Sequence, residues 1–191
     1  MYKKSAILTF YAETPIHMGA GQSVSYVDLP VQRERHTSFP VLWSSGIKGV
    51  IRDLASRVWN DKDKVETIFG PEDGSSDFAS CISITDAKIL LYPVRSVKGV
   101  FAWITCPFVL KRFMEDLKAI IQNNSNSNSN ENQVLDNLLK DLKSFLENDN
   151  LKDTEIRISK SSKLEIKNQN NQNNVALEEF VFEVDESQKE K

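Results

Sequence analysis

Residues 44–59, SSGIKGVIRDLASRVW, hold the pattern that most limits what this chain can fold into. Ile47, Val50, Ile51, Leu54 and Val58 recur every three or four residues, which places one apolar face along a helix. Ser44 or Ser45 can cap its start. Lys48 and Arg52, four residues apart, share a face away from that stripe. Gly49 costs helix stability and is expected to mark a close backbone approach. A helix with a single apolar face must be covered by another layer.

The flanking sequence supplies strand-like material for that layer. AILTFYA, residues 6–12, is apolar on both faces and reads as a central strand. CISITDAKILLYPV, 81–94, reads as a strand bent or bulged near Asp86, and GVFAWITCP, 99–107, as another closed by Pro107. Helical stripes follow at Leu110, Phe113, Met114, Leu117, Ile120 and Ile121, and then over 134–146. EIRISKSSKLEIK, 155–167, predicts two short strands around a turn. LEEFVFEV, 177–184, alternates as a strand, either in the sheet or as one arm of a projecting hairpin. GPEDGSSD, 70–77, is a turn-rich loop, and the Asn/Ser tracts at 122–133 and 168–174 predict flexible insertions. The order strand, helix, strand, strand, helix predicts an α+β sandwich of the ferredoxin-like or RNA-recognition-motif type, as one domain over 1–191.

Charge narrows the function. The formal net charge is −3, but residues 1–60 carry seven Lys/Arg against four Asp/Glu, while residues 131–191 carry nine against fourteen. A polyanion site confined to the first third is expected. Cys81 and Cys106 form no CxxC and have no His nearby, which argues against structural zinc and for buried small hydrophobes. No secretory signal and no membrane-spanning run is visible, so a soluble, cytoplasmic protein is expected.

Residues 19–43 make a long connection, and such connections are usually functional or disordered. Tyr26, Val27, Leu29, Val31 and Phe39 argue against a disordered linker. Its centre is YVDLPVQRERH, with Gly19 and Gly21 upstream. Asp28 reads either as a turn carboxylate paired with Arg33 or Arg35, or as a site residue. Arg33, Arg35 and His36 can bind phosphate or pair with Glu34, and alternation puts the two arginines on one side with Glu34 on the other. His17 and His36 could form an acid–base pair, although lone histidines more often pack or hydrogen bond. Ser45 and Lys48 lie at a helix start, where backbone N–H groups hold phosphate, or else belong to an ordinary capped helix. Tyr26 could stack on a base or sit in the core.

The stretches ETPIHMGAGQS, YVDLPVQRERHTSFPV, SSGIKGVIR, IFGPE and GVFAWITCPFVLKRF, in this order across about residues 5–115, resemble the backbone subunits of type III-B CRISPR effectors, RAMP-superfamily proteins of the Cmr complex. The resemblance implies a modified RNA-recognition-motif core (the RAMP fold) with long insertions and a protruding β-hairpin wedge. It also implies a chain truncated at its C-terminus. Copies would stack in a helical filament along one CRISPR RNA, with other Cmr subunits, in the cytoplasm and without a membrane. Complementary target single-stranded RNA would be cut at regular intervals in a reaction needing a divalent metal, Mg²⁺ or Mn²⁺. Asp28 takes the catalytic position and would hold the metal together with RNA phosphates. Gly19, Gly21, Arg33, Arg35, His36, Ser45, Lys48 and Arg52 are the implied RNA contacts. The alternatives are a non-catalytic RNA-binding scaffold subunit and a generic ferredoxin-like interaction domain.

Overall fold

A computed structural model describes residues 4–19, 30–71, 78–124, 130–147 and 150–185. Two compact units emerge, one from described residues between 7 and 89, the other from 4–6 and from 90 onward.

In the first unit, β1 (Val41–Leu42) leads into α1 (Ser44–Trp59), then α2 (Lys62–Phe69), and β2 (Ala87–Lys88) returns antiparallel to β1. The helix expected at 44–59 has the expected bounds. Its apolar stripe divides, however. Ile47 and Ala55 are buried and Ile51 packs on Val65 and Phe69, whereas Val50, Leu54 and Val58 are 71%, 57% and 68% exposed. Ile47, Ile51 and Ala55 are spaced by four, so α2, absent from the sequence reading, selects a narrower face than the pattern suggests. Neither Ser44 nor Ser45 caps the helix. Trp43 occupies the N-cap position without a side-chain capping bond, and the Ser44 N–H donates to Asp86 Oδ1 at 2.7 Å. Gly49 faces open space. The close approach falls at Gly46, where an added Cβ would lie 2.6 Å from Met18 Cε.

Asp61 caps α2 by accepting from the Lys64 N–H at 3.0 Å. Beyond it, Cys81 is exposed and Ile82 packs on the core, so Cys81 is not the buried small hydrophobe expected, and Cys106 is half-buried.

The second unit contains a six-stranded sheet. Its members are β3 (Tyr92–Ser96), β4 (Val100–Ile104), β5 (Glu155–Ile156), β6 (Ile166–Lys167), β7 (Asn173–Leu177) and β8 (Phe180–Val184). The order is β4-β3-β7-β8-β5, with β6 also beside β7, and only the β5–β8 pairing is parallel. Helices α3 (Pro107–Asn123) and α4 (Asn130–Glu147) come between β4 and β5 in the chain. Pro107 opens α3 rather than merely closing the strand, as suits its fixed φ and missing N–H. Ala102, Val175 and Leu177 are buried with Val94, Ile104, Ile156, Leu164 and Phe182 around them.

Several expectations are revised here. Residues 7–12 join no sheet among the described residues, and Leu8, Phe10 and Tyr11 are 61%, 49% and 74% exposed. An apolar pattern becomes a strand only beside a partner edge. The strand expected at 81–94 is β2 and β3, which belong to different units. The two strands expected within 155–167 form but do not pair with each other. The tract at 168–174 is an ordered turn: Asn168 Oδ1 accepts from the N–H groups of Asn170 and Gln172, both at 2.9 Å, and Asn171 takes a left-handed φ of 62°. Asn173 and Asn174 already lie in β7. The 122–133 loop is shorter than expected, because α4 starts at Asn130; residues 125–129 lie outside the described residues. Within LEEFVFEV, Leu177 ends β7, Glu178 and Glu179 form the turn, and Phe180–Val184 make β8, which lies between β7 and β5.

Candidate nucleic-acid interface

Asp28, Gly21 and Tyr26 lie outside the described residues. The two ends of their segment are described, and they converge. Gly19 and Val31 form an antiparallel bridge, and the Gln32 N–H donates to Met18 O at 2.9 Å. Gln32 then uses both halves of its side-chain amide. Nε2 donates to Gly19 O at 3.0 Å, and Oε1 accepts from Trp43 Nε1 at 2.8 Å. The Trp43 backbone N–H points to Met18 Sδ at 3.1 Å, and Val41 N–H donates to Gln32 O at 3.1 Å. The base of the 20–29 segment is thereby fastened to the start of α1.

Residues 33–40 fold back on themselves. Arg33 bridges Pro40, the Glu34 N–H donates to Phe39 O at 2.8 Å, and Ser38 N–H donates to Glu34 O at 2.9 Å. Glu34 is 8% exposed, while Arg33 and Arg35 are exposed, the division that strand alternation predicts. The Glu34 carboxylate accepts from the Thr37 hydroxyl, which in turn accepts from Phe39 N–H at 3.1 Å. His36, 73% exposed, brings Nε2 to 3.8 Å from Glu34 Oε2. Arg33 NH1 donates to Ser38 O at 2.8 Å. One buried carboxylate thus braces the turn, and the Arg33 and Arg35 side chains are exposed.

Ser45 is exposed in the first turn of α1. The donor just before it, Ser44 N–H, is already taken by Asp86, so part of the expected phosphate-holding helix start is occupied by a carboxylate of the same unit. Lys48 and Arg52 are half-buried. Lys48 Nζ donates to Ser80 Oγ at 2.9 Å, and Arg52 NH1 donates to Gly70 O at 2.8 Å. Both tie α1 to the chain that follows α2. Gly19 serves through its carbonyl oxygen. Among the described residues, no group of three or more His, Cys, Asp or Glu could hold a metal ion, and no helix is long and apolar enough to cross a membrane.

Gln32, Trp43 and Asp86 were not singled out by sequence as site residues. Gln32 and Trp43 gave one faint signal, adjacency to the charged motif and to the helix start. Asp86 gave none, because its partner lies 42 residues away.

Residues 9–190 match the RAMP superfamily, and the chain belongs to it. Within that superfamily it resembles the CRISPR system Cmr endoribonuclease Cmr4 of Pyrococcus furiosus, at 47% identity over 117 residues, which is 60% of this chain and 40% of that protein. The crystal structure of oligomeric Cmr4 from Pyrococcus furiosus superposes with a TM-score of 0.57 at 34% identity, covering 94% of this chain and 55% of that one. A chain of the type III-B Cmr-beta complex bound to cognate target RNA superposes at 0.67 with 22% identity, covering 88% of this chain and 55% of that one, a likeness of fold alone. This chain therefore spans about half the length of these relatives. The α+β RAMP fold expected from the sequence is the fold of the chain.

Proposed function

We propose that this protein is a repeated backbone subunit of a type III-B CRISPR ribonucleoprotein in the cytoplasm, binding CRISPR RNA and cutting complementary single-stranded RNA at regular intervals. The observation that carries the reading is the 47% identity to a Cmr endoribonuclease. The charged stretch 31–40 supports it, since it is held by Gln32 and braced by Glu34 and so offers Arg33 and Arg35 to RNA from a fixed turn. Other copies of the chain, in a helical filament, and other Cmr subunits are the proposed protein partners.

RNA can be cut without a protein nucleophile. The 2′-hydroxyl gives up its proton as its oxygen attacks the adjacent phosphorus, the bond to the 5′-oxygen breaks and that oxygen takes up a proton, and a 2′,3′-cyclic phosphate results. Bringing the 2′-oxygen into line is worth several kcal/mol, about as much as orientation effects generally supply. Asp28 is the proposed catalytic residue, placed at the scissile phosphate. Arg33, Arg35 and His36 are the proposed phosphate contacts nearest to it, with Gly19, Gly21, Ser45, Lys48 and Arg52 along the RNA path. Lys48 and Arg52 would serve it partly by fixing α1, given their bonds to Ser80 and Gly70. The described residues offer no metal cage, so a Mg²⁺ or Mn²⁺ ion would rest on Asp28 and RNA phosphates, supplying charge stabilisation at the phosphate.

The test uses the assembled complex, guide RNA and end-labelled complementary RNA. Periodic, metal-dependent cuts that disappear in Asp28→Ala while target binding persists are expected. Normal cutting by Asp28→Ala would remove the catalytic assignment and leave the scaffold reading.

A further inference from the structure

The basic residues of the second unit gather in a place that the charge distribution of the sequence conceals. Residues 131–191 are acidic overall, yet an open groove there is lined by Lys98, Lys163 and Lys167 together with Ser162 and Asn173. Lys98 comes from the β3–β4 turn, Lys163 from the connection before β6, and Lys167 from β6 itself. Glu165 is the one acidic residue in the lining. Lys163 and Lys167 form no ion pair among the described residues. Lys98 Nζ donates to the backbone oxygen of Glu165 at 2.8 Å, which fixes the side chain without neutralising it. The turn that carries Lys98 is held in place. Ser96 Oγ donates to Lys98 O at 2.9 Å, and Gly99, at φ 88°, sits so close to Leu164 that an added Cβ would meet it at 3.2 Å. Two segments more than sixty residues apart are thus locked together, with their lysines lining one groove.

We infer that this groove binds the phosphodiester backbone of single-stranded RNA, as a contact carried by residues of the second unit alone; the inference rests on the RNA-binding reading above. The lining chemistry selects that partner. Lysine ammonium groups with hydroxyl and amide donors are what phosphate oxygens receive from proteins. Protein interfaces are instead depleted in lysine and centred on aromatic or arginine anchors, and among the described residues the groove lining has neither. With no aromatic or arginine in that lining, the contact is independent of base sequence.

The experiment measures binding of the full 191-residue chain to a labelled, unstructured single-stranded RNA by fluorescence anisotropy across a salt series. Each neutralised phosphate contributes about 0.7 to the slope of log affinity against log salt on a single strand, so K98A/K163A/K167A should flatten the slope by about 2. The same relation makes its binding about 100-fold weaker near 0.1 M salt. Replacing the three lysines by arginine should retain the slope. Because Lys98 also braces the turn, K163A/K167A carries the test alone if circular dichroism shows the triple variant unfolded, and its slope should fall by about 1.4. Unchanged slope and affinity in a folded variant, while the wild-type chain binds RNA, overturn the groove assignment and leave the proposed function standing. Loss of self-association with RNA binding intact also overturns it, in favour of an acidic protein surface. A wild-type chain that binds no RNA removes the reading beneath both.

Discussion

Replacing Gln32 by leucine keeps the side-chain bulk and deletes two bonds, from Nε2 to Gly19 O at 3.0 Å and from Trp43 Nε1 to Oε1 at 2.8 Å. The backbone bonds of Gln32 to Met18 and Val41 survive the change. A neutral hydrogen bond contributes about 0.5–1.5 kcal/mol net; the bond to Gly19 is partly buried and the bond from Trp43 is exposed, so the loss should be about 1–2 kcal/mol. Trp43→Phe removes one of the two and should cost about half as much. The pair should couple in a double-mutant cycle by about 0.5–1 kcal/mol, because each substitution deletes the same indole–amide bond. Stability is read from urea midpoints. If these bonds hold the base of the segment carrying Asp28, the assembled complex with Gln32→Leu should cut target RNA about tenfold more slowly, the equivalent of about 1.4 kcal/mol, at unchanged RNA affinity. Gln32→Glu should do no better, since it sets a carboxylate against the Gly19 carbonyl. The reasoning fails if Gln32→Leu cuts at the wild-type rate, or if the two substitutions add without coupling.

Two further expectations concern stability. Asp86→Ala should lower the unfolding free energy by about 1–2 kcal/mol, because it strips the α1 N-terminus of its external cap, whereas Asp86→Asn, which keeps an oxygen acceptor, should cost about 0.3–1 kcal/mol; equal losses in the two variants would mean that the bond to Ser44 does not cap the helix. Glu178 lies at the β7–β8 turn, and its carboxyl is held below the usual carboxylate range by the Arg95 side-chain hydrogen bond, then by the Arg95 N–H, then by the guanidinium charge. A lowered folded value means stability that is present above the unfolded value of about 4.5 and lost as pH falls through the folded one. The thermal midpoints of wild type and Glu178→Gln should therefore differ at neutral pH and converge under acid; a constant difference down to pH 3 would refute the assignment.

Local periodicity carried much of the fold. α1, α3, α4, β4 and β8 form where three-to-four-residue or two-residue spacing places them, since such patterns depend only on neighbours along the chain. The charged motif at 26–36 was legible for a related reason, because its residues are contiguous, and alternation alone placed Glu34 on the side opposite Arg33 and Arg35, which is the buried side. The failures share the opposite cause. Residues 6–12 have strand composition but no sheet edge beside them among the described residues, and the Asn-rich tract at 168–174 gains order from side-chain bonds to its own backbone.

The sequence by itself thus determined the types of α1, α3, α4, β4 and β8, the α+β class and the position of the charged segment, because these follow from local sterics and spacing. Tertiary structure alone decided which face of α1 is buried, that Asp86 rather than a serine caps it, and that Gln32 fastens the segment to Trp43. It also decided that Lys98 meets Lys163 and Lys167 on one groove. Each of these joins residues distant in sequence, and such a junction exists only once the free energy of packing has brought the segments together.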